Sequence, residues 1–154
     1  MSIGSLLLVN AAHPYRPQGP GPALAALEPE SSVLLCQPAA RALGRLLDAV
    51  GGRQALVPVS GWRSHREQSL LYAQSVEENG PAFTAQYVAK PGCSEHETGL
   101  AIDMGLRLPE IDFIRPSFPD EGVCRAFRRQ GARFGFILRY PQGKEAVTGI
   151  AWEP

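Results

Sequence analysis

The chain has 154 residues, with 44% apolar and 19% charged residues, the profile of one ordinary globular domain spanning 1–154. Fifteen basic and fifteen acidic residues cancel, so no global field favours nucleic acid or an anionic membrane as partner. No apolar run approaches the ~20 residues of a membrane span. The N-terminus lacks a basic n-region, so cytoplasmic localisation is expected. Cys36, Cys93 and Cys124 are odd in number and widely spaced, which predicts free thiols rather than a disulfide framework.

In chain order, residues 6–10 read as a short strand. Residues 13–30 are rich in proline and glycine and read as an irregular surface arm. A helix follows, with Pro38 in its first turn. Leu43, Leu46, Leu47 and Val50 share its buried face, and Gly51-Gly52 ends it. Residues 55–59 read as a strand, followed by a turn at 60–63. A second helix begins at Ser64, where Ser64 and Glu67 have the spacing of a capping box. It runs to about Glu78, with Leu71, Tyr72 and Val76 as its core candidates, and Asn79-Gly80-Pro81 stops it.

Residues 86–99 read as a loop and 100–104 as a strand. That strand would turn Leu100, Ile102 and Met104 to the core and Ala101 and Asp103 to the other face. A third helix is expected at about 121–131, with Val123, Ala126 and Phe127 inward. Strands are expected at 134–140 and 148–152. Helices and strands do not alternate, which predicts an α+β fold with a small antiparallel or mixed sheet.

The densest chemistry lies at Ser94-Glu95-His96-Glu97-Thr98-Gly99-Leu100-Ala101-Ile102-Asp103. Asp103 beside a small residue leaves room for an ion, and Gly99 lets the backbone turn so that His96 can converge on it. Two ligands are one short of the three that a catalytic zinc usually keeps. Singly, His96 reads as a solvated loop residue. Glu95 and Glu97 read as solvated, His65 and His13 as surface histidines, and Arg139 and Tyr140 as structural.

The pattern Ser-x-His-x-x-Gly-x-Ala-x-Asp resembles the signature of the LAS zinc peptidases, the group of lysostaphin-type enzymes, D-Ala-D-Ala peptidases and hedgehog-type proteins. Ser60-Gly61-Trp62-Arg63-Ser64 resembles the Gly-Tyr-Arg-Ser turn of VanY-type D-alanyl-D-alanine carboxypeptidases. The stretches 88–96, 135–141 and 148–150 are also similar to that family. Val9-Asn10 with His13-Pro14 is similar to the bifunctional vancomycin-resistance D,D-dipeptidase/D,D-carboxypeptidases.

The resemblance implies a hedgehog/DD-peptidase-like fold and a Zn2+ cofactor held by His96 and Asp103. It implies Glu153 as catalytic base, Arg63 as oxyanion stabiliser, and a small peptide ending in D-Ala-D-Ala as substrate. Gln68, Ser60 and Tyr87 are candidates for lining the pocket. Ser94 either binds the substrate carboxylate or caps its own loop. The family carries Glu-Pro-Trp-His, whose histidine is the third ligand, whereas this sequence reads Trp152-Glu153-Pro154 and stops. The expectation is therefore a D,D-peptidase domain that lacks its C-terminal end. The alternatives are a truncated or a non-catalytic zinc-binding member of the same fold.

Overall fold

The first long helix shows how the sequence builds the core. In the computed structural model, which describes residues 7–17 and 19–151, α1 spans Gln37–Val50. Cys36 enters it in an extended conformation and a proline occupies its first turn, where the missing N–H costs no helical bond. Ala40, Leu43, Gly44, Leu46 and Leu47 are buried along one face, the 3.6-residue stripe of an amphipathic helix. Each fully buried leucine contributes about 1.5–3 kcal/mol by leaving water. At Gly51 the backbone turns left-handed, and its N–H returns to Asp48 and Leu47 carbonyls.

Two antiparallel pairs flank this helix. Strand β1 (Leu24–Ala26) pairs with β2 (Leu34–Cys36), with Leu24 opposite Cys36. Strand β3 (Leu56–Ser60) pairs with β4 (Asp103–Leu106), with Leu56 opposite Leu106 and Ser60 opposite Asp103. The register shifts between Pro58 and Ser60, because proline has no N–H for the ladder. The core joins Leu35, Ala40, Leu43, Leu47, Leu56, Met104, Phe118 and Cys124. Helix α4 (Gly122–Gly131) closes it, with Val123 and Phe127 packed on the cluster and Phe127 edge-on to Phe118. The fold class is α+β, as expected.

Helix α2 (His65–Asn79) begins with the complete capping box: Ser64 Oγ accepts from the Glu67 N–H, and the Glu67 carboxylate accepts from the Ser64 N–H. Its buried residues are polar, Gln68 and Ser75, whereas Leu71 is exposed and Tyr72 and Val76 are only half-buried. The expected apolar face of this helix is thus corrected. Helix α3 (Pro81–Tyr87) packs against it, and the Ser75 and Thr84 hydroxyls meet at 2.8 Å.

Several other sequence expectations are overturned. Residues 7–10 form no strand; Asn10 and His13 make an isolated bridge. The arm at 13–30 contains β1. Residues 86–87, expected to open the 86–99 loop, instead end a helix over 81–87 to which the sequence reading assigned no element. The strand expected at 100–104 starts at Asp103, and Leu100 is exposed. Residues 134–140 form no strand: a 3-10 turn ends at Phe134, and Ile137 is 81% exposed. Residues 145–148 make a single helical turn, α5 (Glu145–Thr148), in place of the start of a final strand. Apolar runs at 134–140 and 148–151 read as strands because local pattern does not reveal whether a partner strand exists; Trp152, the end of the second expected strand, lies outside the described residues. Cys36, Cys93 and Cys124 are free thiols. No helix among the described residues is long and apolar enough to cross a membrane.

Candidate active site

The site forms where the end of β3, the turn after it and the 3-10 turn at Glu95–Thr98 meet. Gly61 begins that junction. A Cβ there would lie 2.3 Å from the Leu34 carbonyl oxygen, so only glycine admits the close passage beside β2. The Trp62 N–H donates to that same carbonyl. On the other side, Gly99 closes the 3-10 turn at φ 74, and its carbonyl accepts from the Cys36 N–H at 2.8 Å. The strand β2 therefore buttresses both halves of the site.

Two hydrogen bonds zip those halves together. The Arg63 N–H donates to the His96 carbonyl at 3.1 Å. His96 Nδ1 lies 2.7 Å from the Gly61 carbonyl oxygen. A carbonyl oxygen only accepts, so Nδ1 carries the proton and donates it. The lone pair or a second proton is then on Nε2, which faces Asp103 Oδ2 at 3.3 Å. Burial disfavours a charged His96, but the Asp103 hydrogen bond and charge outweigh it and raise its pKa above the usual value. Two acceptors pointed at each other demand a cation between them, either a proton or a metal.

Arg63 lies beside this pair. Its Nη1 donates to Gln68 Oε1 at 2.7 Å and its Nη2 to Ser60 Oγ at 2.8 Å. Gln68 is 1% exposed, and its amide nitrogen donates to the Ala89 carbonyl at 2.7 Å. Both ends of the amide are thus engaged. Burial pushes the Arg63 pKa below its ordinary value, opposed by the carboxylates of Asp103, Glu67 and Glu97. A guanidinium nonetheless stays charged.

The remaining candidates occupy distinct places. Ser94 is buried, and its hydroxyl oxygen accepts from the His96 N–H at 3.3 Å, capping its own turn. Tyr87 ends α3, stacks on Phe83 and carries the Arg115 guanidinium 5.0 Å over its ring. Glu153 lies outside the described residues. Among the described residues, no group of three His, Cys, Asp and Glu side chains gathers to hold a metal.

Two carboxylates that the sequence assigned to solvent are structural. Glu97 is 5% exposed and accepts from the Gly92 N–H at 2.7 Å and from His65 at 3.0 Å. Glu95 accepts from Arg139 and Tyr140. Alternation of charge with polar residues around His96 gave no signal for either, because their partners lie up to 45 residues away.

A profile described as VanY, D-alanyl-D-alanine carboxypeptidase, matches residues 32–154. The chain is 43% identical over 155 residues to the bifunctional D-Ala-D-Ala dipeptidase and D-Ala-D-Ala carboxypeptidase VanXYC of Enterococcus gallinarum, covering 99% of this chain and 81% of that protein. It superposes on the vancomycin-resistance D,D-dipeptidase VanXYg, crystallised with a D-Ala-D-Ala phosphinate analogue. The TM-score is 0.92 at 43% identity, with 97% of this chain and 59% of that chain covered. A vancomycin-resistance D,D-pentapeptidase VanY from a VanB-type cassette, solved with Zn(II), gives a TM-score of 0.77 at 27% identity, with 96% of this chain and 83% of that chain covered. The chain thus spans four-fifths of one relative and less than two-thirds of another. With the profile covering most of the sequence and the fold shared, the chain belongs to the VanY family of D-alanyl-D-alanine carboxypeptidases.

Proposed function

We propose that this chain is a zinc-dependent D,D-peptidase that hydrolyses D-Ala-D-Ala or removes the terminal D-alanine of a cell-wall precursor peptide. The observation that carries the reading is the convergence of His96 Nε2 and Asp103 Oδ2 beside a buttressed arginine, in a member of this family. Ligand atoms about 2.0–2.1 Å from a tetrahedral zinc ion lie about 3.3–3.4 Å apart. The His96 and Asp103 atoms are 3.3 Å apart, so they fit two vertices of such a site. The described residues supply two ligands; the third position of the family pattern follows Glu153.

When bound, zinc lowers the pKa of a coordinated water and polarises the scissile carbonyl. The chain's own residues do the rest. His96 is held in one tautomer by the Gly61 carbonyl, with Nε2 facing Asp103, where the pair would hold the ion. Asp103 supplies the balancing negative charge. The charge of Arg63 stabilises the oxygen where negative charge grows as the amide is attacked. Ser60 and Gln68 support the reading as the residues that fix Arg63, and Gln68 acts through it rather than on substrate. Glu153 takes a proton from the attacking water and passes it to the departing D-alanine amine. Ser94 caps the His96 turn, and Tyr87 and Ser94 are proposed as contacts for the substrate. On this reading the enzyme works in the cytoplasm, which fractionation of the host cell checks.

The decisive experiment measures zinc content and D-alanine release from D-Ala-D-Ala and from a precursor pentapeptide. It uses the 154-residue chain and one extended past Pro154. Release by either form, abolished by Glu153→Gln with zinc retained, is the expected result. Tight zinc binding without release in both forms would replace the reading with a non-catalytic zinc-binding module.

A further inference from the structure

We propose that Glu95 is a positioning residue: its carboxylate clamps Arg139 and Tyr140 and so holds the chain leading to Glu153 against the loop that bears His96. Glu95 Oε1 accepts from Arg139 Nε and Oε2 from the Tyr140 hydroxyl, each at 2.7 Å. The Arg139 guanidinium also lies 5.2 Å from the centre of the Tyr140 ring. Both carboxylate oxygens are therefore committed to donors 44 and 45 residues further along the chain.

The pair is not a loose surface contact. The Glu95 side chain is 19% exposed and Arg139 33%, so water screens the charge-assisted bonds only partly. Glu95 itself is fixed, because Thr98 Oγ1 donates to its carbonyl at 2.6 Å and His96 follows it directly. The clamped segment has little burial of its own. Ile137 and Leu138 are exposed, and so are residues 142–146. Its far end is tied by the Ala151 N–H to the Gln86 carbonyl at 3.0 Å. Tyr140, Thr148, Gly149 and Ile150 face one small cavity together with Cys93, which precedes the His96 turn. A segment with few buried apolar contacts draws its order from such tethers. Glu153 follows in sequence, two residues after the last described position, so on the peptidase reading the segment held by the clamp leads directly to the proposed base. A misplacement of about 1 Å costs on the order of a hundredfold in rate.

The catalytic consequence rests on the peptidase reading, but the clamp itself does not. Amide hydrogen exchange is measured across Glu95→Ala, Glu95→Gln, Tyr140→Phe and the unaltered chain, with α1 as internal control. The expected result is exchange at least about tenfold faster over 139–151 in Glu95→Ala, unchanged exchange in α1, and an intermediate effect for Glu95→Gln. In whichever form releases D-alanine, kcat falls by about tenfold or more while KM and zinc content hold. Tyr140→Phe keeps the ring and removes one bond, so it carries the test if Glu95→Ala does not fold. Unaltered exchange over 139–151, or a raised KM at constant kcat, overturns the proposal. If no form releases D-alanine, the peptidase reading fails and exchange alone decides the clamp.

Discussion

His96 Nδ1 donates to the Gly61 carbonyl across 2.7 Å, joining the turn after β3 to the loop before β4. This one bond orients the imidazole and chooses its tautomer. It depends on a glycine that passes within contact of the Leu34 backbone. Gly61→Ala forces the turn away from β2, and overpacking of this kind costs about 1–3 kcal/mol. The expected outcome is a lower Tm and, on the proposed reading of His96 as a zinc ligand, a zinc affinity weakened by roughly 10–100-fold, since the carbonyl that orients His96 moves with the turn. Calorimetry and a competitive chelator titration check both.

Arg63 is held at two points, Ser60 and Gln68. Arg63→Lys keeps the charge and loses the planar fork that makes both bonds. Turnover of D-Ala-D-Ala is expected to fall by about 10²–10³ with zinc content unchanged, the scale of losing one oxyanion donor. Gln68→Ala is expected to cost about 1–3 kcal/mol of stability as well, because it leaves the Ala89 carbonyl without its donor. Steady-state kinetics with parallel denaturation curves separate the two effects.

Glu97 is buried between the Gly92 N–H and His65. Glu97→Ala strands the buried Gly92 N–H and is expected to destabilise the chain by about 1–3 kcal/mol. His65 is largely exposed, so His65→Ala is expected to change stability by less than about 1 kcal/mol. Urea unfolding midpoints of the two variants test the asymmetry. Equal losses would mean that the histidine, rather than the Gly92 amide, is the partner that matters.

The capping box of α2 has a pH signature. Hydrogen bonds from the Ser64 hydroxyl and backbone hold the Glu67 pKa below the ordinary carboxylate value. A depressed folded-state pKa contributes stability that is present above the unfolded pKa and lost as pH falls through the folded one. The loss therefore falls below about pH 4.5. Its size stays under about 1 kcal/mol because the group is solvent-screened. Thermal melts from about pH 6 to about pH 3 are expected to converge for the unaltered chain and Glu67→Gln at the acid end. Ser64→Ala is expected to cost about 1 kcal/mol at neutral pH.

Sequence alone determined the features that rest on local rules. The α1 stripe of Leu43, Leu46 and Leu47, its glycine stop and the Ser64–Glu67 box follow from helical period and capping chemistry. The pairing of His96 with Asp103 follows from a ten-residue motif that sets the two seven positions apart. Tertiary structure decided what depends on distant partners. The run at 134–140 carries strand-forming residues but finds no strand to pair with, because a ladder needs a neighbour that no local window reveals. Helix α2 buries Gln68 and Ser75 instead of its leucines because Arg63, Ala89 and Thr84 arrive to satisfy them. Glu95 and Glu97 read as solvent-facing until donors from other parts of the chain close around them. A carboxylate is hidden only where the fold delivers hydrogen bonds to offset its desolvation, and that delivery is a property of three dimensions.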